Sequence, residues 1–157
     1  MVKRARSGTP RGRVVAVGGV VLLLGACGAD ADARSGTGEV RHDVEPLLDR
    51  VPALAGATSV SWSSGALGDA DVPGPSLYWI DAVVELPTGV AADLRASLDL
   101  APATERPDVA DALGEELPIG DLLAGAALDD AFSAAGWRST AYLEAEGDDL
   151  VLLVVGE

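Results

Sequence analysis

The chain has 157 residues and carries 25 acidic side chains against 11 basic ones, a formal net charge of −14. A surface of that sign is repelled by phosphate backbones and anionic lipid headgroups, which argues against a nucleic-acid partner. Almost half the residues (48%) are hydrophobic, so a core can be built from Leu, Val and a handful of large aromatics.

The first segment is unlike the rest. Lys3, Arg4, Arg6, Arg11 and Arg13 are followed by no acid until Asp30, and positive flanks stay on the cytoplasmic side of a membrane. Val14 to Ala26 is then a run of 13 apolar or glycine residues. A spanning helix needs about 20, so this run reads as the hydrophobic part of an export signal. Leu24-Gly25-Ala26-Cys27 closes it with the only cysteine in the chain. These residues resemble the lipobox of exported bacterial lipoproteins, in which a peptidase cuts before the cysteine once its sulfur carries a diacylglyceryl group. The resemblance implies cleavage between Ala26 and Cys27, a lipid anchor on Cys27, and a place on the extracytoplasmic face of the cell membrane. Gly25-Ala26 reverses the commoner order but keeps both residues small. No paired arginines occur, which favours general secretion over the twin-arginine route. With Cys27 acylated no thiol remains, so disulfides, thiolate metal sites and cysteine nucleophiles are excluded.

The implied organisation is a signal peptide over 1–26, a lipidated cysteine and flexible tether over 27–42, and one globular domain over 43–157. Gly28 to His42 is poor in large apolar residues and rich in Gly, Ala, Asp, Ser and Thr, the composition of a disordered tether. After Ala26 the chain holds six arginines and all 25 acids, a net charge of −19. That balance favours solubility, cationic partners or loose divalent-ion association.

Asp43 is placed to cap a short helix with Glu45 and Pro46 in its first turn and Val44, Leu47, Leu48 and Val51 along one stripe. Thr58–Leu67 alternates, with Val60 and Trp62 on one face and Ser59, Ser61 and Ser63 on the other. A polar loop, Asp69–Ser76, separates it from the strongest strand, Leu77–Leu86. There Tyr78, Ile80, Ala82, Val84 and Leu86 oppose Leu77, Trp79, Asp81, Val83 and Glu85. The two strands are expected to pair antiparallel. Thr88 opens a helix carrying Val90, Leu94 and Leu98. Pro107 leads a second through Val109, Ala112, Leu113 and Leu117, although prolines and glycines leave boundaries in 101–125 open. A third holds Leu128, Phe132 and Ala135, with Gly136 placed to end it. A closing hairpin pairs the alternating stretch from Trp137 to Glu146 with Leu150–Val155, a continuous apolar run typical of a central strand. The expected fold class is α+β, a single antiparallel sheet built from two hairpins with helices packed on one face. Ile80, Val84, Leu94, Phe132, Leu143 and Leu152 should then be buried together.

Catalytic signals are scarce. His42 is the only histidine, and a triad drawn with Ser63 and Asp43 would depend on an imidazole in the tether. No nucleophile elbow, phosphate loop or zinc motif occurs, and no cofactor or metal site is read. Asp129-Asp130 and Asp148-Asp149 read as a helix's first turn and a hairpin tip rather than a calcium loop. With 25 acids, a carboxylate pair at glycosidase spacing arises by chance. The chain reads as a non-enzymatic, membrane-anchored lipoprotein whose domain contacts another envelope component. Alternatives are a carrier of an apolar or lipid-like ligand and, third, an extracytoplasmic hydrolase. The expected contact surface is the outward sheet face with Trp79, Asp81 and Tyr142, together with the Asp69–Ser76 loop and its flanking Trp62. The plainer alternative is that Trp79 covers a sheet edge or packs under that loop. If Cys27 is the anchor, an alkyne fatty acid should label the chain metabolically and Cys27→Ala should abolish the label. Unlabelled wild type with a membrane-bound variant would refute the lipobox assignment.

Overall fold

The computed structural model describes residues 34–36, 38–68 and 76–157. Ala26 and Cys27, and 69–75 of the expected contact loop, lie outside them. The described backbone runs β1 (Arg34–Gly36), α1 (Glu45–Leu48), a 3-10 turn (Pro52–Leu54), β2 (Ser59–Leu67), β3 (Leu77–Glu85) and α2 (Thr88–Ser97). It continues with β4 (Ala101–Pro102), a second 3-10 turn (Asp111–Glu116), β5 (Leu122–Ala124), α3 (Ala126–Ala131), β6 (Trp137–Glu144) and β7 (Asp149–Gly156). Among these residues no helix is long and apolar enough to cross a membrane.

The strands form one antiparallel sheet in the order β1-β2-β3-β7-β6-β5-β4. The expected hairpins are present: Leu67 pairs with Leu77 and Ser59 with Glu85, while Leu143 pairs with Leu150 and Trp137 with Gly156. They join through β3 and β7, with Ala82 opposite Leu152. The α+β class is overturned, however. The molecule is mostly β, a seven-stranded sheet with small helices. Three further strands are recruited from segments read as tether or loop, and the region after Pro107 makes only a 3-10 turn. Pro107 and Pro118 bound this region and limit any helix to about ten residues, and Gly114 in its middle lowers the helix propensity further.

The first sheet face carries the main core. Val60, Trp62, Ile80, Ala82, Val84, Ala141, Leu143, Leu150, Leu152 and Val154 pack beneath Leu47, Val51 and Leu54 of the first helical segments, Ala91 of α2, and Leu128 and Phe132 of α3. Five of the six residues expected together are buried in this cluster, and Leu94 packs partly buried against it. Helix α3 also resolves a hydrogen-bonding problem. β5 covers β6 only from Tyr142 onward, so edge donors upstream need other partners. Ser133 Oγ accepts from Ser139 N at 2.9 Å, and Asp129 Oδ1 accepts from Ala141 N at 2.8 Å. Gly125, just before α3, runs against α2's exit: a Cβ there would sit 2.7 Å from the Asp99 carbonyl oxygen.

The second face is also covered, contrary to the expectation of helices on one face only. The segment between β4 and β5 crosses it as a strap, with Pro107, Leu113 and Pro118 buried. Arg106 Nη2 donates to Pro118 O at 2.6 Å and ties the two arms of the strap together. Beneath it lie Trp79, Asp81, Val83 and Val151. Phe132→Ala should lower the unfolding free energy by about 3–5 kcal/mol in urea titration. Trp79→Ala should be comparably destabilising, because Trp79 is only 4% exposed; an unchanged midpoint for either would contradict this packing.

Candidate functional site

The residues expected to form an outward contact surface are not free. Trp79, Asp81 and Tyr142 do share the second face, as alternation requires, but Trp79 and Asp81 lie under the strap and Tyr142 is half-buried. Trp62 lies on the opposite face, in the main core. The exposure assigned to Trp79 and Asp81 is therefore corrected. The sequence signal that contradicts it is the apolar character of both faces of β3 and β7, where Trp79, Val83, Val151 and Leu153 face the strap.

Asp81 instead joins three distant segments. Its Oδ2 accepts from Arg34 Nη1 at 2.7 Å and from the Ala110 backbone N–H at 2.8 Å, while Arg34 also donates to Asp108 O. Trp79 Nε1 donates to Ser35 O at 3.2 Å. The described part of the expected tether is thus docked: β1 pairs with β2, and Arg41 bridges to Trp62 through two backbone hydrogen bonds. Burial pushes the Asp81 carboxyl above the ordinary carboxylate value, outweighing the Arg34 charge and the Ala110 hydrogen bond that pull it down. Directly opposite sits Ser63, fully buried, whose Oγ has no partner among the described residues.

His42 is held rather than mobile. Its Nδ1 lies 3.1 Å from Val60 O and 3.2 Å from Ser61 Oγ. No hydrogen bond among the described residues links it to Asp43 or Ser63, and Ser63 is inaccessible where it stands. The paper triad is not brought together. Among the described residues, no three His, Cys, Asp or Glu side chains converge as a metal site.

Among the described residues, an arrangement suited to binding lies on the first face, at the end of the sheet where β2 runs out and β3 and β6 begin. There a half-open cleft of about 490 Å³ is lined by Arg41, Arg50, Trp62, Ser64, Tyr78, Trp137 and Glu157, among others. Its size falls within the usual range for small-molecule sites, about 300–1,000 Å³. Each wall is a guanidinium on an indole. Arg41 lies 3.9 Å from the Trp62 ring centroid and donates to Ser64 Oγ at 2.7 Å. Arg50 lies 5.5 Å from the Trp137 centroid and donates to Pro46 O at 2.6 Å. Such stacking is worth about 0.5–1 kcal/mol at exposed sites and more when desolvated. Both indoles are set by the fold. Trp62 Nε1 donates to Asp43 O at 2.8 Å, and Trp137 crosses its strand neighbour Gly156, where a Cβ would collide with the indole. Neither arginine is ion-paired to a carboxylate among the described residues; the ion pairs there are Arg34–Asp81 and Arg95–Asp148.

Arg41, Arg50 and Trp137 were not legible as site residues. Arg41 sits in the segment read as tether, Arg50 ends a helical stripe read for its apolar side, and Trp137 reads as an ordinary inward strand residue. Compared with protein-family models, curated proteins and solved structures, the chain matches none.

The Asp81 pair offers a test of which force dominates. A carboxyl whose folded pKa is raised binds its proton more tightly when folded, so wild type should lose stability relative to Asp81→Asn as pH rises above about 3.8, the ordinary value, and through the raised one. Urea titrations of both proteins from acid to neutral pH measure that difference; a gap that moves the other way would mean that the Arg34 attraction wins.

Proposed function

We propose that this chain is an exported, lipid-anchored binding domain of the cell envelope, without catalytic activity of its own, and that it binds through the cleft between Arg41 and Arg50. The anchor rests on the Leu24–Cys27 motif and the charged and apolar segment before it. Two acyl chains, at about 0.8 kcal/mol per buried methylene, suffice for stable attachment. The domain then begins within a few residues of the headgroups, because the chain is already docked on the sheet at Arg34.

One observation carries the binding role. In a chain with more than twice as many acids as bases, two guanidiniums line one concave surface and neither is ion-paired among the described residues, although Glu157 shares the lining. Each guanidinium has five N–H donors, of which the hydrogen bonds to Ser64 and Pro46 use one apiece. Unused donors beside aromatic walls favour recognition of an anionic group. The apolar-carrier alternative is less well supported, since the space between helices and sheet is filled by side chains such as Leu47, Leu54, Leu128 and Phe132. For the hydrolase alternative, no assembled set of reacting groups is seen at the cleft among the described residues.

Photo-crosslinking in intact cells tests the reading. A photoreactive residue replacing the half-exposed Tyr78 in the cleft should give a mass-shifted adduct that Arg50→Gln removes. The same residue at Ile119, 97% exposed on the strap, should give none. Equal adducts at both positions, or an adduct indifferent to Arg50, would contradict it.

A further inference from the structure

Resting on the lipid-anchor reading, we propose that the domain stands end-on against the membrane that holds Cys27, contacting its headgroup layer through the sheet end that exposes Leu77, Tyr78 and Val155. The point at which the chain enters the sheet decides which end is down. Arg34, the first residue of β1, pairs with Leu67 at the exit of β2, and Leu67 pairs in turn with Leu77 at the start of β3. Arg34 follows Cys27 by seven residues, a reach of at most about 25 Å even when fully extended. β3 is nine residues long, about 30 Å at ~3.3 Å per residue. Standing on its other end, the domain would lift Arg34 about 30 Å from the surface, beyond that reach.

Exposed side chains select this end over either flat side of the sheet. Of the five large apolar side chains exposed among the described residues, Leu77, Tyr78 and Val155 lie here, while Val90 on α2 and Ile119 on the strap stand singly elsewhere. Leu77 and Val155 share a shallow hollow with Arg138. Tyrosine suits the interfacial layer, where its ring is apolar and its hydroxyl wet, and an arginine stem lies along apolar groups while its head stays in water. Charge favours the same placement without selecting a headgroup. Arg34, Arg41, Arg50 and Arg138 gather at this end, four of the six arginines after Ala26. Acids lie among them, including Asp81 paired with Arg34, Asp108 and Asp111 near it, and Glu157 with its α-carboxylate. Asp69 and Asp71 of the β2–β3 connection, outside the described residues, add two more. This end is therefore mixed in sign. The far end is acidic: Glu85, Glu144, Glu146, Asp148 and Asp149 surround the β6–β7 turn, where the ion pair among the described residues is Arg95–Asp148. With a Debye length of about 8–10 Å, acids held about 30 Å above the headgroups are screened from them. The cleft of Arg41 and Arg50 shares the lower end, so its ligand is met at headgroup level.

Spin labels at the two ends of β6 test the placement. The protein would be purified from membranes into phosphatidylcholine nanodiscs doped with a nickel-chelating lipid. Acylation consumes the only native thiol, so one nitroxide can be placed on Ala135→Cys, in the turn before β6, or on Glu146→Cys, in the turn after it, both exposed. The nickel lipid should enhance relaxation at 135 at least about threefold more than at 146. An insert of about twelve Gly and Ser residues after Gly28, which frees the domain from the short tether, should leave that difference in place. Adding Leu77→Ser and Val155→Ser to the lengthened chain should abolish it while co-purification with the discs is unchanged. Equal or reversed enhancement at the two labels would overturn the end-on placement. Loss of the difference on lengthening alone, or its persistence in the double variant, would overturn the contact surface. Failure of the anchor reads differently: the chain would not co-purify with the discs, or Cys27→Ala would co-purify equally well, and the placement would fall with it.

Discussion

A central strand that is apolar on both sides is the constraint from which the rest of this structure follows. Leu150, Leu152 and Val154 face the helices and are essentially fully buried, while Val151 is equally buried on the opposite face. Antiparallel sheets commonly leave one face wet, but β7 and its neighbour β3 cannot. Each buried side chain of this size is worth about 1.5–3 kcal/mol. The chain must therefore supply two covers, and it has helices enough for one. The second is the proline-rich strap, a non-helical excursion whose few buried apolar groups, Leu113 above all, face the sheet.

Covering the second face traps polar groups there, and their needs explain the N-terminal docking. Asp81 cannot sit unpaired beneath the strap without a large desolvation penalty. Arg34 from β1 and the Ala110 N–H from the strap meet at the same carboxylate oxygen. A buried ion pair of this kind is a poor source of net stability, and the raised Asp81 pKa agrees with that. What it supplies is registration: the strap and the first ordered residues of the chain are fixed to one atom of β3. The fully buried Ser63 hydroxyl opposite remains unanswered among the described residues. On the first face the packing stops short at the sheet end, leaving the cleft whose lip is formed by two stacked arginines.

The strand faces were legible because they follow from a period of two and from long unambiguous runs. Tyr78 to Leu86 and Trp137 to Leu143 alternate cleanly, and both hairpins lie where that alternation places them. The fold class was not legible, for a specific reason. Trp79, Asp81 and Glu85 read as a mixed, outward row, although Val83 within it and Val151 and Leu153 on the neighbouring strand mark that row as covered. The strap is disguised by its spacing: Val109, Ala112, Leu113 and Leu117 read as a helix, where the chain makes only a 3-10 turn. The cleft was hidden for a different reason: its arginines come from segments without a strong pattern. They are brought to the indoles only by the docking of residues 38–42 on β2 and by the Pro46–Arg50 turn.

Central to this account is a cleft in which an acidic body presents two guanidiniums beside indole walls. The most direct measurement is fluorescence quenching of Trp137 alone, with Trp62 and Trp79 replaced by Phe, by iodide and by caesium at equal ionic strength. A chain of net charge −14 should by its overall field draw caesium and repel iodide. The cleft as described predicts the reverse at Trp137: stronger quenching by iodide, reduced when Arg50→Gln is added. Stronger quenching by caesium, unchanged by Arg50→Gln, would contradict it.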